Sequence, residues 1–128
     1  MSTSPAFAST PRVGMVNFTA ANTALDGSGS LNTIVTAGSS GTKINKVTMK
    51  YAATNTAGMI RLWIHDGTNG RLFKEFPTVA ITPSATVAAF SVEYNCEEEN
   101  IFIPTGYSLR ATTQAAEAIN VIAFVADL

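Results

Sequence analysis

Hydrophobic and polar residues alternate with a period of two along most of this chain, which is the pattern of β-strands with one buried face. The stretch 43–53 shows it most clearly, with apolar side chains on one side and lysine or threonine on the other: Val47, Met49 and Tyr51 against Lys46, Thr48 and Lys50. Similar runs predict strands at 13–20, 31–37, 78–82, 87–94, 101–103, 107–112 and 119–126, beside a hairpin within 58–77. The last run is apolar on both sides and is therefore expected in the middle of a sheet.

Turn residues separate these runs at intervals of about 8 to 12 residues, and no segment shows a convincing helical period. Residues 113–118 have some helical propensity but are too few for a stable helix. The pattern predicts an all-β fold, an antiparallel two-sheet sandwich of the jelly-roll or Greek-key kind. A length of 128 residues fits one such domain, which we place at 13–128.

The segment 58–77 predicts a β-hairpin whose turn lies at 66–70, because Gly67 and Gly70 each follow an Asp or an Asn there. The side chains favour one register, since a slip of one residue would oppose like charges or mix the two faces. That register pairs His65 with Arg71, Ile64 with Leu72, Trp63 with Phe73, Arg61 with Glu75 and Ile60 with Phe76. One face then carries the core residues Ile60, Leu62, Ile64, Leu72 and Phe76.

The other face of the predicted hairpin has an aromatic centre and a charged rim. Trp63 and Phe73 form the centre, and the rim consists of Arg61, Arg71, Glu75 and His65. This composition resembles that of interface hot spots, so we expect the face to meet a partner. The alternative is that Trp63 and Phe73 pack beneath the N-terminal arm within one subunit.

Residues 1–12 consist mainly of Ser, Thr, Ala and Pro, with Phe7 as the one aromatic side chain. This composition predicts an extended N-terminal arm with too little apolar area to become ordered by itself. Such an arm can become ordered on a neighbouring subunit. Phe7 would then be its anchor.

The composition also narrows the classes of partner. The net charge is -1 and only 13% of the residues are charged, so no basic excess is present to neutralise phosphates and we expect no nucleic-acid partner. No apolar run is long enough to cross a bilayer, and we expect no membrane partner. The single Cys96 cannot form an intramolecular disulfide, and residues 1–12 do not resemble a signal peptide. Folding in a reducing cytoplasm is therefore expected.

Residues suited to catalysis or metal binding are sparse. The chain has one His and one Cys and no metal-ligand or phosphate-loop motif, so we expect no enzyme, no metal and no cofactor. Cys96 precedes Glu97–Glu99, whose negative charge disfavours a thiolate. This acidic triplet is expected to be a solvated loop tip, with a cation or an Arg-bearing partner as the alternative. Residues 26–29 lack the carboxylates that calcium requires and are expected to form a turn.

Four segments, taken in order, resemble a family of small virion proteins encoded in tailed-phage structural gene clusters. They are TAANTALDGSGS at 19–30, AGMIRLWIHDGTNGRLFKE at 57–75, ITPSATVAAF at 81–90 and IPTGYSLRATTQ at 103–114. The resemblance implies a β-sandwich that forms homo-oligomers, with a trimer favoured. It implies a capsid decoration or cement protein that binds the major capsid protein on the capsid exterior, after synthesis in the bacterial host cytoplasm.

A second hypothesis is a head-fibre or tail-associated binding module that recognises a glycan or a receptor. In that case Trp63 would stack on a sugar ring, and the loops 26–30 and 95–100 would supply polar contacts. In the decoration hypothesis, Trp63 and Phe73 would instead anchor a protein contact.

Overall fold

The computed structural model describes residues 10–128, which form an almost entirely β domain. Nine strands follow one another along the chain: β1 Thr10–Phe18, β2 Asn32–Thr36, β3 Thr42–Tyr51, β4 Gly58–His65, β5 Gly70–Thr78, β6 Ser91–Asn95, β7 Ile101–Ile103, β8 Ser108–Thr113 and β9 Ile119–Asp127. One 3-10 turn, Glu97–Glu99, separates β6 from β7, and residues 10–128 contain no α-helix. Residues 114–118 form an irregular connection.

The nine strands form two antiparallel sheets that pack against each other. Sheet A has the strand order β1-β9-β3-β6, with β7 also pairing with β3, and sheet B has the order β2-β8-β4-β5. The pairs nest along the chain: β1 with β9, β2 with β8, β3 with β6 and β7, and β4 with β5. This nested order is that of a jelly roll. The predicted all-β two-sheet sandwich is therefore confirmed.

The hydrophobic core lies between the sheets and follows the alternation of the sequence. In β3, Val47, Met49 and Tyr51 are buried while Lys50 is exposed. Strand β9 lies between β1 and β3, so its predicted central position is confirmed. The other large contributors to the core are Phe18, Ile34, Val35, Ile44, Ile60, Leu62, Ile103, Leu109, Ile119, Val121 and Val125.

Strand β1, at the edge of sheet A, begins earlier than the sequence pattern predicts. Residues 10–12, assigned to the arm, pair with β9 and belong to the sheet. Arg12 secures this end, because its Nε lies 3.0 Å from Asp127 Oδ2 and its Nη2 donates to Thr36 O at 2.6 Å. The domain boundary at 12/13 is corrected accordingly. Phe7, the expected anchor of the arm, lies outside the described residues.

The region between β5 and β6 has less strand than the sequence predicts. The predicted strand 78–82 contributes only Thr78, the last residue of β5, and a single bridge between Asn55 and Ile81. The predicted strand 87–94 begins only at Ser91. Backbone bonds between Ser84 and Val87 close a turn at that place, which explains the delayed start.

The β4–β5 hairpin forms, but its register changes halfway along. Ile60 lies opposite Phe76 and Arg61 opposite Glu75, which confirms those two pairs. Beyond Leu62 the register shifts by one residue, so that Trp63 lies opposite Leu72, Ile64 opposite Arg71 and His65 opposite Gly70. The predicted pairs Trp63–Phe73, Ile64–Leu72 and His65–Arg71 are therefore wrong.

The turn of this hairpin explains the shift. The N–H of Asp66 donates to Asn69 O at 3.0 Å, and the Asp66 carboxylate accepts the N–H groups of Thr68 and Asn69 at 2.8 and 2.7 Å. These bonds close the turn over 66–69, so the second strand starts one residue earlier than expected. Phe73 becomes the extra residue of a β-bulge, which restores the predicted register in the remainder of the hairpin.

Candidate functional site

Trp63 lies on the outer side of sheet B and is nevertheless completely buried, with an exposed fraction of 0%. Its Nε1 donates to Thr112 Oγ1 at 2.9 Å, so the polar atom of the indole is satisfied within the chain. The expectation that Trp63 presents an exposed ring is therefore wrong for the single chain. No face of this ring is free to stack on a sugar.

The connection between β1 and β2, residues 19–31, covers the outer side of sheet B and is named the covering loop. Near its start, the N–H of Asn22 donates to Thr113 O on β8 at 3.0 Å. Near its end, the Leu31 side chain lies so close to Gly70 on β5 that a Cβ at Gly70 would collide with it. Strand β4 lies between β8 and β5, so the covering loop crosses the strand that carries Trp63.

Internal hydrogen bonds brace the covering loop. The Asn22 Nδ2 donates to the carbonyl oxygens of Ser28 and Ser30, both at 3.0 Å. The Asp26 carboxylate accepts the N–H and the hydroxyl of Ser28 at 3.0 and 2.6 Å, and these bonds lower the pKa of Asp26. The predicted turn at 26–29 is confirmed.

The β-bulge turns Phe73 away from Trp63. The ring of Phe73 packs edge-to-face on Tyr94 of β6, with 6.1 Å between the ring centroids, and both rings pack against the core. Lys74 Nζ lies 5.6 and 5.2 Å from the centres of these two rings. The Tyr94 hydroxyl donates to Glu99, and burial together with this bond raises the pKa of Tyr94. Phe73 therefore joins the two sheets, and its predicted place beside Trp63 is wrong.

The expected rim residues do not form a single charged ring. Arg61 is buried, its Nε lies 3.1 Å from Glu75 Oε2, and its Nη1 donates to Gln114 Oε1 at 2.8 Å. His65 is half-buried, and its Nδ1 accepts a backbone N–H of the hairpin turn at 3.0 Å. Arg71 is exposed. Arg61 thus forms a network with Glu75 and Gln114 on the side of Trp63, in which Arg61 is buried and Glu75 is exposed, whereas Arg71 is exposed near the turn.

The outer side of sheet A carries an exposed apolar surface that the sequence analysis did not single out. Val13 lies opposite Phe124 and Met15 opposite Ile122. Val13, Met15 and Phe124 are 48%, 70% and 43% exposed, and Ile122 is half-buried. These four residues are named the sheet A patch. Contiguous exposed apolar residues mark interaction surfaces more often than scattered ones do.

Lysines border the sheet A patch on β3. The facing pairs are Lys46 with Phe124, Thr48 with Ile122 and Lys50 with Asn120. Lys46 also lies 3.4 Å from Glu93, but both side chains are substantially exposed, so the pair contributes little to stability. The sheet A patch therefore has a cationic border on the β3 side and the free edge of β1 on the other.

Two features of the sequence bear on the sheet A patch. The run 13–20 has Val13 and Met15 on one side and apolar residues on the other, and the run 119–126 is apolar on both sides. When the outer side of a central strand is apolar, either another segment covers it or it forms an exposed patch. The sequence alone does not separate these two cases, whereas in the structure of residues 10–128 the patch is exposed.

The thiol of Cys96 and the acidic triplet are the remaining candidate groups. Cys96 is buried and its Sγ donates to Ile44 O at 3.3 Å. Burial, with a smaller contribution from Glu99, raises the pKa of the thiol to about 11. The acidic triplet Glu97–Glu99 forms an exposed 3-10 turn. Within the described part of the chain, no group of three or more His, Cys, Asp or Glu residues could hold a metal ion.

A helix long and apolar enough to cross a membrane is not found among residues 10–128. No protein-family model matches the chain, and no curated protein is significantly similar to it. Function is therefore inferred from the chemistry and geometry of the surface.

Proposed function

We propose that this chain is a non-enzymatic structural protein of a virion, most specifically a decoration protein that binds the outside of a tailed-phage capsid. The observation that carries the proposal is the sheet A patch, with Met15 70% exposed and two further large apolar side chains more than 40% exposed. Water-exposed apolar area of this kind is stabilised when a partner covers it. The four resembling segments supply the capsid as the expected location.

The composition of the face indicates the chemistry of its partner. Met15 has a flexible and polarisable side chain that adapts to an irregular apolar surface, and Val13 and Phe124 supply stiffer contacts beside it. Lys46 and Lys50 stand at the border, so an acidic rim on the partner would be complementary in charge. The proposed site on the major capsid protein is therefore an apolar surface flanked by carboxylates.

Decoration would stabilise the capsid by mass action. A protein that binds the assembled shell more tightly than free capsid subunits adds its binding free energy to the assembled state. Where protomers are joined in an oligomer, the binding of one raises the effective concentration of the others at neighbouring copies of the site, so weak individual contacts act together. A small apolar face is sufficient for such a function.

The location is tested on virions purified by density gradient from a culture that produces both the virus and this chain. We expect an antibody to the chain to label heads evenly in electron micrographs, at a copy number in proportion to the capsid subunits. Labelling of tails or fibres alone would overturn the decoration proposal in favour of the tail-associated module. Absence from gradient-purified virions would overturn both.

The surface is tested with a matched pair of double variants added to particles that lack the chain. Met15→Lys with Phe124→Lys places charges in the sheet A patch, and Val79→Lys with Val87→Lys places them at other exposed valines, 65% and 46% exposed. We expect the first pair to lose at least tenfold in binding to shells and the second to bind like the wild type. Equal binding by both would show that another surface contacts the capsid.

A further inference from the structure

Strand β1 is an edge strand without the usual protection. It has nine residues, pairs with β9 on one side through nine consecutive partners without a register shift, and has no strand on its other side among residues 10–128. Strand β2 packs on the inner side of β1, where a Cβ at Gly14 would meet Ile34 O and the Val35 side chain, but the two strands are not paired. The main-chain N–H and C=O groups on the outer edge of β1 therefore have no partner strand among residues 10–128. Long, regular edge strands of this kind are templates for the addition of another strand.

The other sheet edges carry features that oppose pairing. β5 contains the Phe73 bulge, the charged Lys74 and Glu75, and Pro77. β2 and β6 have five residues each, and the pairing of β2 is irregular. β1 has only Pro11 near its start, and its one charged residue is Arg12.

Arg12 does not protect the edge either. Its guanidinium is bound to Asp127 and Thr36 within the subunit, with Nε to Oδ2 at 3.0 Å and Nη2 to the carbonyl oxygen at 2.6 Å. The residues of β1 on the outer side of the sheet near its centre are Val13 and Met15, both uncharged. No like charges would therefore meet if two copies of this strand were placed side by side.

We infer that β1 pairs in antiparallel fashion with β1 of a second copy about a two-fold axis at Gly14. Gly14 is the middle residue of Thr10–Phe18, so this register lets all nine residues pair and places Val13 opposite the partner's Met15. Arg12 then lies opposite the partner's Val16. The same segment serves both copies, which is the self-complementary arrangement that closes a dimer.

This pairing also joins the two sheet A patches. A two-fold axis that makes neighbouring strands antiparallel in one sheet runs perpendicular to that sheet, so both outer sides face the same way. Val13 and Met15 of each copy meet at the axis, and Phe124 and Ile122 extend the apolar surface on either side. The use of this joined surface rests on the proposed capsid contact, whereas the dimer itself does not. An even number of copies also differs from the trimer that the resemblance implies.

The dimer is tested on the isolated protein by light scattering after size exclusion. The chain has a mass of 13.4 kDa, and we expect twice that value for the wild type. Val13→Lys with Met15→Lys places like charges opposite each other across the axis and should give a monomer. Val13→Lys with Met15→Glu places each Lys opposite a Glu of the partner and should restore the dimer. The control pair Val79→Lys with Val87→Lys should remain dimeric.

Backbone pairing is tested separately by amide hydrogen exchange. In the wild type, β1 amides that do not face β9 should be protected, and in the Val13→Lys, Met15→Lys variant they should exchange at least tenfold faster. Circular dichroism and Trp63 fluorescence establish that this variant is folded. Unprotected amides in a wild-type dimer would place the contact elsewhere and overturn the inference.

Each remaining outcome is decisive. A wild-type monomer or trimer overturns the inference, as does a dimer that survives Val13→Lys with Met15→Lys. A Val13→Lys, Met15→Glu variant that stays monomeric overturns the register at Gly14. A wild-type monomer that still binds capsid shells would reject the dimer and leave the decoration proposal in place. A wild-type dimer that binds no capsid shell would keep the dimer and reject the decoration proposal.

Discussion

Large apolar side chains are buried on the outer side of sheet B and exposed on the outer side of sheet A. On sheet B, Trp63 is completely buried on the strand that the covering loop crosses, whereas on sheet A, Met15 remains 70% exposed. Both residues occupy outward positions of a regular strand. Within residues 10–128, the difference lies in whether another segment reaches them: Asn22 and Leu31 connect the covering loop to sheet B, and no segment covers Met15. An outward apolar residue on a strand does not by itself indicate an external contact, because the connections of the fold decide whether another segment covers it.

The polar groups on the two outer sides of the sandwich also differ in whether they are buried with partners. Trp63 Nε1 and the Arg61 guanidinium find partners within the chain, at Thr112 and at Glu75 and Gln114. Burial of these groups is favourable only because their hydrogen bonds are satisfied. The sheet A patch has no polar atoms to satisfy, so its exposure costs only the hydration of apolar area.

The largest difference between the two sides should appear when each loses its most prominent side chain. We expect Trp63→Ala to lower the free energy of unfolding by about 3 to 5 kcal/mol, because it removes buried volume and an internal hydrogen bond. Met15→Ala should change it by less than about 0.5 kcal/mol, because the side chain is mostly in water. Urea unfolding followed by circular dichroism measures both.

The protein concentration must be varied in this comparison. A dimer through β1 would make the apparent stability of the wild type and of Met15→Ala depend on concentration, whereas the loss in Trp63→Ala should persist at every concentration. If Trp63→Ala costs as little as Met15→Ala, the outer side of sheet B is open in solution and the contrast between the two sides is lost.

A smaller difference is expected from two threonines. Thr112→Val keeps the shape of the side chain but leaves the buried Nε1 of Trp63 without its acceptor, and should lower the free energy of unfolding by about 1 to 3 kcal/mol. Thr48→Val, on the outer side of sheet A, should change it by less than about 0.5 kcal/mol. Thermal or urea unfolding of both variants measures the two changes in free energy. Equal effects would mean that water replaces the threonine at Trp63.

Much of the fold could be predicted because burial on one or both sides of a strand determines its pattern of apolar residues. The period of two in β3 and the doubly apolar run of β9 follow from burial on one or both sides of a strand, and both are observed in the structure. The hairpin register could be predicted only in part. The pairs Ile60–Phe76 and Arg61–Glu75 follow from side-chain complementarity, but the bulge at Phe73 depends on how the Asp66 side chain closes the turn.

The candidate interaction surfaces were harder to predict, for a physical reason. Trp63 with charged neighbours has the composition of an interface, and the same composition serves an internal network once the covering loop lies over it. Conversely, Val13 and Met15 have the composition of a core strand. Which of these surfaces meets solvent depends on contacts between residues far apart in the chain, such as Leu31 with Gly70, and a local pattern does not contain that information.

The smallest effect concerns the anchoring of β1, the strand that carries half of the sheet A patch. Hydrogen bonds from Arg12 and Thr42 hold the pKa of Asp127 below its ordinary value of 3.8. A carboxyl group whose pKa is lower in the folded chain stabilises the fold fully above that ordinary value, and the contribution is lost as the pH falls through the folded pKa. We therefore expect β1 to lose amide protection below about pH 4, while the Trp63 emission under the covering loop stays unchanged.

The Asp127→Asn variant isolates this carboxylate from the others that acid protonates. Asp26 and Asp66 also have lowered pKa values, through hydrogen bonds from Ser28 and from the hairpin turn, and both remain in the variant. Exchange measured as protection factors should show a smaller dependence on pH for β1 in the variant than in the wild type. If both lose β1 protection over the same range, Asp127 does not anchor the strand. The loss of β1 protection in acid would then come from another group that binds protons in this range.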